Sequence, residues 1–372
     1  MSAVATAPDL GAAPVLPPGR GELSAAVLSA LRAEGPYGLP GPDTVERADP
    51  YGEDLQLALY LCYEPHYRGF EGVPDGKEWD PELLGLRSLL ERRFLGALRA
   101  ETGAVDRVDQ ALRGLLVEHT DAYDVSHHLK DGGGREELRE YAALRSLYLL
   151  KEADPHAWVL PRLRGRAKAA MAAVLYDDYG SGRAERLHAT LWADLMRDLG
   201  LDPAYGRYLP AAGAPALATV NLMSLLGLHR SLRGALVGHF AALETAAPPA
   251  AARMLLALRR AGAGPAALRF YDEHVEADAV HEQVVRRDVI GGLLEEEPEL
   301  EADVVFGVEA TVWLGDRLTE QVLTAWRQGH SALRVPLDQL DHPDRLDVGD
   351  VGGAAGAGSS GGDEGSGRAA AG

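Results

Sequence analysis

A single cysteine, Cys62, stands among 372 residues. No intrachain disulfide can form, and one thiol cannot assemble a thiolate zinc site or an iron–sulfur cluster. Aromatic residues make up only 6% of the chain. That scarcity, beside an abundance of Ala, Leu, Gly and Arg, disfavours sheets, whose strands draw on aromatic and β-branched side chains. Positive charge is short as well: 37 Lys plus Arg against 56 Asp plus Glu leave a formal charge of −19. Such a chain repels a phosphate backbone before any specific contact forms, so nucleic acid is excluded as a partner. No run of about 18 apolar residues is free of charge, which argues against a membrane span. The N-terminus, MSAVATAPDLGAAPVLPPGRGELS, lacks the basic region and continuous apolar core of a signal peptide. A soluble, cytoplasmic protein is expected.

What is present is material for a large helical core, with 46% of residues apolar. The Ala/Pro/Gly-rich residues 1–20 and the Gly/Ala-rich tail 347–372 cannot bury a core and are expected to be disordered. Between them the periodicity predicts helices only, so the fold class is all-α. Residues 21–150 form an N-terminal helical region and 151–330 a bundle. Leu55–Tyr63, Pro81–Glu101 and Arg135–Leu149 are clear segments, as are Trp158–Tyr176 and Ala184–Leu199. A long helix over Leu217–Thr245 is expected to stop at Pro248 and Pro249, with Ala251–Ala261 a separate helix after it. The next runs from Pro265 to about Leu294, loosening at Gly291 and Gly292, and the last spans Leu300–Arg327.

The strongest local signal lies in Tyr271-Asp-Glu-His274-Val-Glu-Ala-Asp278-Ala-Val-His281. His274, Asp278 and His281 stand at i, i+4 and i+7, so on a helix all three project from one face. Two imidazoles and a carboxylate on one stripe suit iron or manganese; the competing reading is a solvated, charged face. One helix cannot complete a coordination sphere, so others must contribute. Glu185 and His188 have the carboxylate-x-x-His spacing of di-iron ligand helices. The spacing also occurs at Asp124 and His127, so alone it decides little. Asp178 lies ten residues before His188, three turns away if a helix survives Gly180 and Gly182. Glu244 follows Val237, Phe240 and Ala241 at helical spacing. It is either a carboxylate held in the core by a metal or an acid at a frayed helix end.

At these residues the sequence resembles the haem-oxygenase-like di-iron oxidases, a family also described as iron-containing redox enzymes. The order His188, Glu244 and then His274-x3-Asp278-x2-His281 carries the likeness over about Lys151 to Gly329, with KEADPHAWVLPRLRGRAK and DDYGSGRAERLHATLWADLMRDLGLD as supporting stretches. Asp178 stands where the family often has Glu, so either Asp178 or Glu185 supplies the first carboxylate. Glu152 is a bridging or accessory acid, or merely an acid at a helix N-terminus beside Asp154.

The resemblance implies a haem-oxygenase-like bundle holding two iron ions, with His188 and His281 on one, His274 on the other and Glu244 bridging. It implies dioxygen as co-substrate and oxidation of a small organic molecule by N-oxygenation, oxidative decarboxylation or C–C cleavage, with an external electron donor as a further partner. A non-catalytic iron-binding bundle is the alternative, and it would have no pocket beside the ligands. Haem itself is disfavoured, because several acids aimed inward oppose a flat apolar porphyrin. The N-terminal region either covers the bundle or mediates a homodimer. Glu64, His66, Tyr67 and Arg68 in CYEPHYRGF read as a structural polar group after a helix.

Overall fold

The computed structural model describes residues 12–118 and 122–340, with the backbone alone at 276–279. Every regular element among them is helical, so the protein is all-α. The N-terminal region comprises α1 (Glu22–Arg32), α2 (Pro42–Arg47), α3 (Glu53–Tyr63), α4 (Pro81–Glu101), α5 (Val108–Leu116), α6 (Val125–Asp131) and α7 (Arg135–Leu149). The bundle continues with α8 (Asp154–Ala157), α9 (Gly165–Asp178), α10 (His188–Asp198), α11 (Ala214–Leu228), α12 (Arg233–Arg260) and α13 (Pro265–Val284). After these come α14 (Gly291–Glu296), α15 (Glu301–Arg327) and α16 (Leu337–Leu340).

Local chemistry sets many of the starts. Asp80 accepts hydrogen bonds from the Glu82 and Leu83 amides, with Pro81 as the first residue of α4. Asp124 and His127 form a reciprocal cap on α6, so that carboxylate-x-x-His pair is structural.

Two helices depart from the sequence expectation. The segment expected as one helix over Leu217–Thr245 breaks after Leu228, where His229 is extended and a short 3-10 turn leads into α12. Helix α12 then runs straight through Pro248 and Pro249 to Arg260. Each proline removes one N–H, leaving the Glu244 and Thr245 carbonyls without their donors four residues on, at a local cost of roughly 3 kcal/mol. Packing outweighs that cost, because α12 lies against α6, α13 and α15 along its length. Glu244 therefore sits inside a continuous helix, not at a frayed end. Backbone contact with α15 is possible only through glycine: a Cβ on Gly238 would overlap the Val304 carbonyl, and one on Gly307 the Ala235 carbonyl.

A single hydrophobic core runs from Leu23 in α1 to Leu340 in α16 and joins the N-terminal region to the bundle. Residues 12–20, expected from composition to belong to a disordered terminus, are packed. Arg20 pairs with Glu53 at 2.7 Å and donates to the Leu209 carbonyl, while the Pro14 carbonyl accepts from the Glu71 amide. A buried guanidinium fixes a segment whose composition offers no core of its own. Residues 1–11 and the tail 347–372 lie outside the described residues. No described helix is long and apolar enough to cross a membrane. Beyond α13 the helix widens into a π-turn over Val285–Ile290, ahead of the two glycines expected to loosen it.

Candidate metal centre

The centre gathers around one chain reversal. Helix α9 ends at Asp178, and Gly180, Ser181 and Gly182 all take positive φ, a region glycine enters without steric cost. A Cβ on Gly180 would lie 2.6 Å from the Arg186 carbonyl carbon, so the return is tight. Leu187 is non-helical, and His188 opens α10. Asp178 and His188, expected three turns apart on one helix, thus face each other across a turn, 3.7 Å between Oδ1 and Nδ1. Glu185 goes the other way. It belongs to the 3-10 turn Ala184–Arg186, not to α10, and it is exposed. Its spacing from His188 suits a helix, but the non-helical Leu187 breaks that register.

Glu152 lies just before α8. Its Oε2 is 3.8 Å from His188 Nδ1 and 4.0 Å from His274 Nε2, and the three side chains form one metal-sized group. The His188 and His274 rings lie 4.2 Å apart. From α12, Glu244 Oε2 comes within 3.4 Å of His281 Nδ1, and Asp178 Oδ1 lies 4.0 Å from that same nitrogen. The structure thus sets Glu152 beside His188 and His274, Glu244 beside His281, and Asp178 beside both His188 and His281. The backbone of Asp278 is helical, but its side chain lies outside those described.

Burial makes this arrangement electrostatically demanding. His274 donates through Nδ1 to the Phe270 carbonyl at 2.7 Å, which leaves a lone pair on Nε2. Burial, then the neighbouring His188, pushes its imidazole down to about 4, so it is neutral near pH 7. Burial alone would raise the Glu152 carboxyl, but His188 and His274 outweigh it and hold that group below the ordinary glutamate value. Two acceptor atoms, His274 Nε2 and Glu152 Oε2, therefore face each other with no proton between them. Glu152 Oε2, His188 Nδ1, Glu244 Oε2 and His274 Nε2 are all buried without a hydrogen-bond partner among the described residues. Four converging orphan polar atoms in one buried place are what a cation requires, and the mix of imidazole and carboxylate fits iron.

The second group is also oriented from behind. The Asp177 carboxylate accepts from His281 Nε2 at 3.4 Å, which turns Nδ1 toward Glu244. Burial lowers the His281 imidazole, but Glu244 and then Asp177 outweigh it and raise the group overall. Burial raises Glu244 in turn, against the opposing pull of His281.

A cavity of about 230 Å³ adjoins the centre, lined by Glu152, Asp178, Glu244 and His274 and otherwise mostly apolar. Three of its residues, Tyr141, Arg145 and Tyr148, are not singled out by the sequence. Their i, i+4, i+7 spacing on α7 is the available signal, but it lies in a region with no recognisable ligand pattern.

A family model described as iron-containing redox enzyme matches residues 139–316, a span that holds every centre residue from Glu152 to His281. No curated protein matches the sequence.

Proposed function

We propose that this chain, whose residues 139–316 match a family model described as iron-containing redox enzyme, is a non-haem di-iron oxidoreductase that activates dioxygen to oxidise a small organic molecule. The observation that carries the reading is the contact of His274 with Glu152, where two lone-pair atoms meet at 4.0 Å and the imidazole proton is committed to Phe270.

On this reading Glu152, His188 and His274 hold one ion, and Glu244 and His281 the other. Asp178, within 4.0 Å of both His188 and His281, reaches both. Asp278, four residues after His274 and three before His281, is the remaining candidate. Three or four carboxylates nearly balance two divalent ions, which makes a buried pair tolerable at low dielectric. When bound, the iron pair supplies the redox equivalents and open coordination positions that bring dioxygen to react.

The chain's own residues set the conditions for that chemistry. The Phe270 carbonyl fixes the His274 ring, and burial keeps that imidazole neutral and able to ligate. Phe270 lies against His274 at 4.1 Å and Trp192 against Phe270 at 4.7 Å, closing one wall with apolar rings that exclude water. The adjoining cavity favours an enzyme over a storage bundle, since storage needs no room for an organic molecule. N-oxygenation, oxidative decarboxylation and C–C cleavage all fall within the proposal, with electrons drawn from the substrate or an external donor.

The test is metal content and oxygen reactivity after anaerobic loading with Fe(II). About two irons per chain are expected in the wild type, with a transient visible absorption on exposure to dioxygen, and His274→Ala should lose it. No bound iron in the wild type, and no difference between the two proteins, would sink the reading.

A further inference from the structure

Most residues of the centre stand on helices that fix them: His188 on α10, Glu244 on α12, His274 and His281 on α13. Asp178 is the last residue of α9. Glu152 has no such support. It lies in the turn 150–153 between α7 and α8, where no helical ladder of hydrogen bonds spaces the backbone. Its Oε2 is nevertheless set 3.8 Å from His188 Nδ1 and 4.0 Å from His274 Nε2.

Much of what holds this turn comes from the N-terminal region. Glu64, at the end of α3, accepts from Lys151 Nζ at 2.9 Å, with both side chains closed to solvent. Tyr205 donates to the other Glu64 oxygen at 2.7 Å. Arg68 donates at 3.0 Å to the Leu150 carbonyl, one of those at the α7 C-terminus that no helical N–H reaches. The Arg68 guanidinium lies 4.1 Å over the Tyr205 ring, so Tyr205 braces both grips. Inside the turn the Asp154 amide donates to the Lys151 carbonyl at 2.8 Å, which closes the chain tightly around Glu152. Beyond it Tyr179, next to Asp178, donates to the Asp154 carboxylate at 2.9 Å.

A buried ion pair adds little net stability compared with apolar packing, and its best-attested use is to fix register. Register is what a carboxylate on an irregular turn lacks. The family match begins at residue 139, so Glu64 and Arg68 both lie outside it. We propose that Glu64 and Arg68 are positioning residues for the metal centre: the N-terminal region grips Leu150 and Lys151, and through them sets the Glu152 carboxylate against His188 and His274. This role rests on the di-iron reading for the ion it serves, and it makes the bundle without its N-terminal region an incomplete metal site.

Anaerobic titration of the full chain with Co(II), which stands in for Fe(II) and reports its ligands through visible absorption, tests this. The wild type should take up about two Co(II) per chain. Glu64→Gln combined with Lys151→Met removes the tie without stranding a charge. In that double variant one of the two sites should weaken about tenfold to hundredfold, with its absorption band altered, and the other should not change. Arg68→Met should act in the same direction, and Arg68→Lys, which keeps a donor for the Leu150 carbonyl, should restore part of the affinity. Leu98→Ala opens a cavity in the core of α4, which packs on α2, α3 and α15, and serves as the control for lost stability alone. It should lower the thermal midpoint while leaving both sites and their spectrum as in the wild type. Wild-type affinity and spectrum in the double variant remove Glu64 from the role, and the same result in Arg68→Met removes Arg68. An equal loss in Leu98→Ala overturns positioning in favour of general stability. If the wild type binds no Co(II), the metal reading itself fails and this role falls with it.

Discussion

Glu152 and Glu185 differ in one respect that matters chemically: the first is turned into the protein against two imidazoles and the second is exposed. Glu152→Gln keeps the shape and removes the charge, and it should lower bound iron from about two per chain to about one or fewer. Glu185→Ala should change neither iron content nor oxygen reactivity, and a loss equal to that of Glu152→Gln would return Glu185 to the centre. A second residue-scale consequence concerns acid. His239 is buried, shares a hydrogen bond between Nδ1 and the Thr311 hydroxyl, and stacks on His156 at 5.3 Å. Burial pushes its imidazole down to about 3, and burial then the neighbouring His239 hold His156 well below the ordinary value. In the unfolded chain both take up protons near pH 6.5. Between pH 6.5 and about 3 the unfolded state therefore binds more protons, so stability rises with pH and falls as acid is added. The slope approaches about 1.4 kcal/mol per pH unit for each histidine. Urea unfolding at pH 7 and pH 5 should show that decline, and it should be shallower in His239→Gln even though losing the Thr311 contact lowers stability at both pH values.

Helix α12 shows where element-level reasoning from sequence works and where it stops. Its amphipathic spacing is readable, and so is the position of Glu244 within it. Its ends are not, because proline carries a strong local penalty and the sequence does not display the packing with α6, α13 and α15 that outweighs it. Gly238 and Gly307 likewise look unremarkable in the sequence, yet they let α12 and α15 meet backbone to backbone. Gly238→Ala should therefore destabilise the protein by about 1–3 kcal/mol or more despite its better helix propensity, seen as a lower denaturant midpoint. Gly315→Ala, on the same α15 but with nothing within 4 Å of the new methyl, should be neutral or stabilising by up to about 1 kcal/mol. Equal effects at the two sites would mean that the close crossing does not limit stability.

Across the whole molecule, the N-terminal region and the bundle are tied together by a buried ion pair as well as by the shared core. Lys151, one residue before Glu152, meets Glu64 at the end of α3 at 2.9 Å, with side chains 1% and 0% exposed. Tyr205 donates to the other Glu64 oxygen, and the Lys151 ammonium lies 4.1 Å over the Tyr67 ring. Glu64 of the CYEPHYRGF stretch thus ties the two regions together, and its partner lies 87 residues on. Lys151→Met should cost about 3–5 kcal/mol by stranding the Glu64 charge, and adding Glu64→Gln should recover much of it. Guanidinium unfolding of both variants checks this, and a double variant no better than the single one would show that packing, not charge, governs the site.

By itself the sequence determined the helical class and the helical register of His274 and His281, because periodicity and spacing on one helix are local properties. It also marked His188 and Glu244 as residues with unusual requirements. Only the tertiary structure decided that Asp178 and Glu152, not Glu185, face His188, that α12 continues past its prolines, and that Arg145 opens onto the cavity. Those outcomes depend on a reversal at Gly180–Gly182 and on contacts between helices far apart in the chain. Such contacts sum many small packing terms that no local stretch of sequence contains.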